Sequence, residues 1–255
     1  MVELKSPAEI EAMRAAGRVV AIALAQMRKQ AAVGVSLLEL DEVARAVLAE
    51  HGATSPFLHY QPSFAHSPFP AVICSSVNDA ALHGIPSPYR LADGDLVSVD
   101  FGATLNGWTG DSAISFTVGT PRPADIRLID TAERALAAGI AAAVPGGRLG
   151  DVSAAIGAVA RTAGYGLHTD FGGHGVGRTM HESPSVPNDG KAGRGMKLAP
   201  GLVIAIEPWF MAGGKDSYRV DPDGWTLRSG DGSQAAHVEH TVAITADGPR
   251  ILTAL

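Results

Sequence analysis

The chain has 255 residues, which is long enough to bury a substantial single core. Its formal net charge of −6 and its lack of a basic cluster argue against a nucleic acid partner. The only cysteine, Cys74, excludes an intrachain disulfide and suits a reducing cytoplasm, and neither a signal-peptide pattern nor an apolar stretch of membrane-spanning length is present.

The motif Ser6-Pro7-Ala8-Glu9 predicts the start of the first helix, because it is a capping box with proline at the first helical position. Residues 34–52 then align with residues 146–164 at a constant offset of 112, and each segment is a helical pattern closed by glycine. An alanine-rich helix precedes each segment and strands follow it. Two alanine-rich amphipathic helices also align easily by composition alone, but the matched positions favour two related halves, residues 1–120 and 121–255.

The strands after the first pair of helices bring two aspartates together. Asn106-Gly107 is a strong signal for a two-residue hairpin turn, which places Asp111 opposite Gly102. Because side chains alternate along a strand, Asp100 and Asp111 point from one face as diagonal neighbours, with Cα atoms roughly 7–8 Å apart. They could be two solvated aspartates on an exposed face, but the repulsion between them and the apolar flanks favour a bound cation.

A glycine-rich stretch, residues 172–177, surrounds His174 in the second half, and His181 follows it. The spacing does not match G-x-G-x-x-G and the lysine of a P-loop is missing, so a phosphate cradle is disfavoured. Glycines instead allow tight backbone around an imidazole that approaches a ligand closely. A lone histidine is usually structural, whereas two imidazoles in this setting indicate a site.

Two glutamates lie at the ends of apolar strands. Glu207 closes the apolar run 202–206 and precedes Pro208, and Glu239 comes shortly before the strand-like residues 242–244. An unpaired carboxylate in such a place is costly, and lysine and arginine are scarce nearby. A metal ion is therefore the expected partner.

Six short stretches together resemble those of methionine aminopeptidases, and their order and spacing agree nearly end to end. The size resembles the short bacterial form of type I, without an N-terminal extension. The resemblance implies an α+β pita-bread fold of the creatinase/aminopeptidase kind: one catalytic domain, residues 1–255, with a curved, mostly antiparallel sheet, outer helices and internal pseudo-twofold symmetry. The stretches are Leu82–Pro86, Asp100–Ser112, Gly173–Gly177, His181-Glu182, Ile206–Pro208 and Glu239–Thr241.

The resemblance also implies two divalent metal ions per chain, with Co, Mn, Fe and Zn as the open choices. Asp100 would hold one metal, His174 and Glu207 the other, and Asp111 and Glu239 would bridge them. Four carboxylates contribute about −4, which two divalent ions offset. A ligand set of oxygens with one imidazole suits these metals better than a thiolate-selecting site would.

The implied reaction is removal of N-terminal methionine, preferably when the second residue is small, by a hydroxide that bridges the metals. Glu207 would take and return a proton. His83 would lie near the scissile nitrogen and His181 near the carbonyl oxygen, although His83 could also be a turn-capping imidazole.

Methionine specificity requires an apolar pocket, for which the resemblance gives four wall residues that could equally be ordinary core. One of them lies in the segment 212–236, expected as a hairpin excursion beside the cleft. The chain departs from the family in the segment 56–68, at Leu82 and at His237-Val238, which affects the pocket and not the reaction. The wall residues are Phe69, Cys74, Met180 and Trp225.

The expected partners are the N-termini of nascent polypeptides and peptides, with transient proximity to the ribosome and the chain acting as a monomer. Two other functions were weighed. A Xaa-Pro aminopeptidase or prolidase shares the fold but usually carries an additional N-terminal domain. A non-catalytic binding protein of the same fold would be expected to have lost ligands, and all five are present here.

Overall fold

The computed structural model describes residues 2–63 and 65–255; Met1 and Phe64, which fall in the N-terminal segment and in the segment 56–68, lie outside them. The described chain holds four helices, α1 (Pro7–Gln30), α2 (Leu37–His51), α3 (Pro123–Ala142) and α4 (Leu149–Ala163). None of the described helices has the combination of length and apolar character that crossing a membrane requires.

The strands in this part of the chain pair in antiparallel ladders and form four sheets, in the orders β1-β3-β4, β2-β10-β9, β11-β8 and β13-β12-β7-β5-β6. Their bounds are β1 Ile73–Val77, β2 Ala80–Leu82, β3 Leu96–Leu105, β4 Trp108–Thr117, β5 Gly173–Gly175, β6 Glu182–Val186, β7 Val203–Ile206, β8 Trp209–Met211, β9 Tyr218–Val220, β10 Leu227–Ser229, β11 Ala235–His237, β12 His240–Thr245 and β13 Gly248–Ile251.

The first helix begins as its sequence predicts. The Ser6 backbone N–H donates to the Glu9 carboxylate at 2.8 Å, the Glu9 N–H donates to the Ser6 hydroxyl, and Pro7 occupies the first helical position. These contacts satisfy backbone donors that would otherwise lack partners at a helix start. The capping box is therefore confirmed.

Helices α2 and α4 begin and end at positions that differ by 112, the offset found in the sequence. Each is followed by a glycine in the left-handed region, Gly52 with φ 62° and Gly164 with φ 75°. The starts differ in chemistry, because the Ser36 hydroxyl caps α2 whereas Arg148 at the equivalent position supplies no side-chain cap. The two helices therefore correspond in their bounds and in their closing glycines, but not in the side chains at their starts.

The hairpin β3–β4 has the register that its turn predicts. Leu105 pairs with Trp108 and Gly102 with Asp111. The helix α1 packs closely on this hairpin, because a Cβ on Gly110 would lie 2.8 Å from the Cα of Gly17. Bare backbone at both positions lets the helix and strand approach next to Asp111.

Two hydrophobic clusters lie mainly one in each half, between its helix pair and its strands, and a third cluster combines α1 with strands of the second half. The halves meet where β4 lies beside the start of β12, and Thr241 ties them together. Its hydroxyl donates to the Asp111 carbonyl at 2.7 Å and accepts from the Asp111 N–H at 3.0 Å, while the Glu239 N–H donates to the Ala113 carbonyl at 2.9 Å. The two predicted acidic motifs are thereby joined through the Thr241 hydroxyl and through one backbone hydrogen bond.

The segment 212–236 forms the expected excursion. Strands β9 and β10 make an antiparallel hairpin, and β10 also pairs with β2. Trp225 stands between these two strands, and its indole N–H donates to the Ser67 carbonyl at 3.1 Å. The excursion therefore touches the segment 56–68, and together they bound one side of a cavity.

Candidate active site

A cavity of about 550 Å³ opens between the two halves. Its lining includes side chains from strands of both halves and from the two loops just described. All eleven residues expected from the sequence to bind metal or substrate contribute to it: Phe69, Cys74, His83, Asp100, Asp111, His174, Met180, His181, Glu207, Trp225 and Glu239.

The five ligand candidates are carried by separate strands. Asp100 lies within β3 and Asp111 within β4, His174 is the middle residue of β5, and Glu207 and Glu239 lie directly after β7 and directly before β12. His174 Nε2 is 3.5 Å from Glu207 Oε1 and 3.9 Å from Asp111 Oδ2. One ligand atom each from Asp111, His174 and Glu239 lie within 4.8 Å of one another, a spacing suited to a shared ion.

Several oxygens of this cluster have no protein partner. Asp100 Oδ1, Asp111 Oδ1 and Glu239 Oε1 are buried without a hydrogen bond to any described residue. Nor does an arginine or lysine in the described ranges pair with these carboxylates or with Glu207. Buried acceptors without partners are costly, and divalent cations satisfy them. The donor set, four carboxylates and one imidazole, therefore fits the metals that the sequence implies.

The electrostatics of the cluster lead to the same conclusion. Burial raises the pKa of Asp111 to about 7. Burial, reinforced by the neighbouring carboxylates, raises the pKa values of Asp100, Glu207 and Glu239 well above their usual range. Without a cation, some of these carboxylates are protonated. Metal binding requires the ionised carboxylates, so these protons are released to solvent when a metal binds.

The imidazole of His174 is oriented by the backbone carbonyl of the next residue. Its Nδ1 lies 2.9 Å from the Gly175 carbonyl, which can only accept, so Nδ1 carries the proton and the Nε2 lone pair faces the carboxylates. The flanking glycines are required by packing, because a Cβ on Gly173 would lie 2.1 Å from the Ala205 carbonyl oxygen and one on Gly175 2.3 Å from that of Ser183. The glycine-rich motif thus lets β5 fit between β6 and β7.

His83 and His181 face the same cavity and are both neutral. Burial lowers the pKa of His83 to about 4; burial, with His174 and His83 nearby, lowers that of His181 to about 3. The His181 and His174 rings are 4.2 Å apart, and His83 makes an edge contact with Phe171 at 5.2 Å. His83 Nδ1 is buried without a hydrogen-bond partner in the described chain, and its φ of 57° is rare for a non-glycine residue. These features favour a functional imidazole over a turn cap.

An apolar cluster forms the opposite wall of the cavity. The Phe69 ring lies 5.1 Å from Trp225 and 6.5 Å from Phe57, both edge to face. Cys74 and Met180 belong to the same cluster, and burial raises the pKa of the Cys74 thiol well above its usual value. The wall therefore offers aromatic edges and a neutral thiol to a bound side chain.

Three functional candidates were missed in the sequence. Tyr60 lines the cavity, and its ring lies 5.2 Å from His181, but the segment 56–68 has no periodic pattern that would have placed it there.

The other two candidates lie beside Glu207. Asn188 is fully buried, and its side-chain amide donates to the Glu207 carbonyl at 3.1 Å. His237 lies beside Glu207, and burial lowers its pKa to about 3. Its period-two spacing from Glu239 was an available signal, since it predicts one shared face.

Comparison with known proteins identifies the peptidase family of this chain and then the group of enzymes within that family. Residues 11–246 match metallopeptidase family M24, so the chain belongs to that family. Over 260 residues it is 50% identical to methionine aminopeptidase 1 of Mycobacterium tuberculosis (strain CDC 1551 / Oshkosh), covering 99% of this chain and 95% of that protein. It is 42% identical to the methionine aminopeptidase of Aquifex aeolicus (strain VF5), covering 100% and 99%. Within the family the chain therefore belongs with the methionine aminopeptidases of bacterial type I size.

Solved structures agree on the fold. The methionine aminopeptidase of Thermotoga maritima superposes with a TM-score of 0.95 at 36% identity, and each chain covers 100% of the other. The prolidase of Pyrococcus furiosus gives a TM-score of 0.76 at 23% identity, with 99% of this chain and 65% of that one covered, a likeness of fold alone. The pita-bread fold expected from the sequence is confirmed.

Proposed function

We propose that this methionine aminopeptidase uses two divalent ions held by Asp100, Asp111, His174, Glu207 and Glu239. The observation that carries the proposal is the set of buried carboxylate oxygens that have no partner in the described chain. Asp100 would hold one ion, His174 and Glu207 the other, and Asp111 and Glu239 would bridge. Bound ions would lower the pKa of a shared water and polarise the scissile carbonyl.

Three side chains carry out proton transfer, stabilise the carbonyl oxygen and bind near the scissile nitrogen. Glu207 takes the proton of the attacking water and returns it to the leaving amine, a role open to a carboxylate that lines the cavity. His181, neutral and facing the cavity, donates a hydrogen bond to the carbonyl oxygen as negative charge develops there. His83 binds near the scissile nitrogen.

The substrate is positioned by its charge and its side chain. A protonated N-terminal amine binds beside the acidic cluster, and the methionine side chain packs against Phe69, Cys74, Met180 and Trp225. A flexible thioether makes favourable contacts with aromatic edges, which this wall presents. A small second residue is preferred because its side chain would lie against Tyr60 and His181, whose rings are 5.2 Å apart in the cavity lining.

We further propose that residues 1–255 act as one catalytic domain, with halves 1–120 and 121–255, and as a monomer in the cytoplasm. The hydrogen bonds between Thr241 and Asp111 support one domain, because the cavity needs both halves. N-termini of nascent chains are the natural substrates, which implies transient proximity to the ribosome. Neither nucleic acid nor membrane is a partner.

A peptide series tests this function. Full-length protein supplied with Co²⁺ or Mn²⁺ should release methionine from Met-Ala-Ser and from peptides with Gly, Ser, Thr, Val, Pro or Cys second, and much less when Lys, Leu or Phe is second. N-acetyl-Met-Ala-Ser is the control and should remain intact because it lacks the amine. Efficient release of leucine from a Leu-Pro peptide, with methionine peptides left uncleaved, would identify a Xaa-Pro peptidase. A lack of any cleavage with metal bound would indicate a binding protein.

A further inference from the structure

His237 is a buried imidazole at the active site to which the proposed reaction gives no role. The residue is only 2% exposed, and its Nε2 has no hydrogen-bond partner within residues 2–63 and 65–255. The carboxylate of Glu207 is close to that nitrogen: its Oε2 lies 3.6 Å away, just beyond hydrogen-bond length. A buried polar atom in this state is costly unless it serves another group.

The backbone of His237 is held in place from two sides. In β11 the residue pairs with Trp209 of β8. The Ser115 hydroxyl donates to the His237 carbonyl at 2.7 Å and accepts from its N–H at 3.0 Å. The Cβ of His237 is therefore well fixed, and burial encloses the ring that it carries.

The carboxylate of Glu207 lies between two imidazoles. Its Oε1 is 3.5 Å from His174 Nε2, and its Oε2 is 3.6 Å from His237 Nε2. His174 and Glu207 line the cavity, whereas His237 does not appear among the described residues that line it. His237 thus lies behind the carboxylate, on the side away from the substrate.

We propose that His237 is a positioning residue for Glu207: when metal binds, the 3.6 Å gap between Nε2 and Oε2 closes, and the Nε2–H donates to Oε2 and keeps Oε1 directed towards His174 and the metal. The inference rests on the proposed function, because it takes Glu207 as a metal ligand. A neutral imidazole can carry its hydrogen on Nε2, which gives the carboxylate one donor. Such outer partners orient metal ligands and raise the affinity for the metal.

The test measures metal affinity directly. Full-length protein, stripped of metal, is titrated with Mn²⁺ by calorimetry as the wild type, as His237→Leu, as His237→Gln and as the control His51→Leu on the exposed end of α2. His237→Leu should weaken Mn²⁺ binding about 10–100-fold. His237→Gln keeps a side-chain N–H donor and should stay within about threefold of the wild type, as should His51→Leu.

Other results would overturn the inference. Wild-type affinity in His237→Leu, even with a lowered unfolding midpoint, would mean a purely structural role. Equal losses in His237→Gln and His237→Leu would mean that the imidazole itself is required, as a direct ligand would be. If His237→Leu does not fold, His237→Phe keeps a flat ring without a donor and carries the same expectation. Wild-type protein that binds no Mn²⁺ would refute the proposed function instead, so the two failures can be told apart.

Discussion

Asp111 takes part in the site through its side chain, which belongs to the candidate metal cluster, and through its backbone, which bonds to Thr241. Its pKa is about 7 in the folded chain without metal, against a usual value of 3.8. A raised pKa in the folded state means that the protonated form stabilises folding at low pH and that this stability is lost as the pH rises through the folded pKa. Metal-free protein should therefore lose stability from about pH 4 to about pH 7.

We expect this loss to appear as a falling thermal midpoint between about pH 4 and about pH 7 in the presence of a chelator. Asp111→Asn, which cannot ionise, should flatten the dependence and bind metal more weakly. Asp130→Asn on the exposed face of α3 is the matched control and should follow the wild type. A wild-type midpoint that is flat or rises over this range would contradict the assignment of buried, mutually repelling carboxylates.

His181 and the metal ligands should separate in mutagenesis. Because His181 donates only to the developing charge on the substrate, His181→Ala should keep the metal content and lower kcat by about 10²–10³. Asp111→Ala should lose both metal and hydrolysis. Metal analysis beside steady-state kinetics distinguishes the two, and a His181→Ala protein that is depleted of metal but recovers with excess metal would make His181 a ligand.

At the scale of elements, the segment 56–69 brings Tyr60 to the site through two backbone hydrogen bonds, one from the His59 N–H to the Phe69 carbonyl and one from the Phe69 N–H to the Tyr60 carbonyl, both 2.8 Å. The Tyr60 ring then packs against His181. A ring contact of this kind is worth about 0.5–1.5 kcal/mol. The segment therefore supports the imidazole from the solvent side.

Replacing Tyr60 tests that support. Tyr60→Ala should lower kcat/KM on Met-Ala-Ser about 2–10-fold, the equivalent of one such ring contact. Tyr60→Phe keeps the ring and should remain close to the wild type. Comparable losses in both variants would show that the hydroxyl, rather than the packing on His181, is what matters.

The elements also show which parts of the site could be predicted from sequence. The register of β3 and β4 follows from the Asn106-Gly107 turn, and the start of α1 from its capping box, because both depend on neighbouring residues. The places of Tyr60 and His237 depend on distant partners, the Phe69 backbone for one and the pairing of β11 with β8 for the other. Local patterns do not encode such contacts: Tyr60 had no sequence signal, and the spacing of His237 from Glu239 did not reveal its contact with Glu207.

Over the whole molecule, the hydrogen bonds between Thr241 and Asp111 join the two halves, in addition to a hydrophobic cluster to which both halves contribute. Thr241→Val should leave the N–H and the carbonyl of Asp111 without these bonds, and buried groups in that state cost about 1–3 kcal/mol. Urea unfolding of metal-free protein should show this loss as a lower midpoint. Thr162→Val on the exposed end of α4 is the control, and an equal effect there would refute a special role for the junction.

The hairpin β3–β4 bears on the order in which the molecule assembles. Asp100 and Asp111 are brought together by a turn between adjacent strands, a contact that closes in microseconds, whereas His174, Glu207 and Glu239 join only through slow pairing over long stretches of chain. During folding the two aspartates therefore form a bare acidic pair that repels itself until the second half arrives. Divalent ions present at that stage could bind this pair of aspartates before the other three ligands arrive. The metal is therefore expected to speed the docking of the halves as well as to hold them together afterwards.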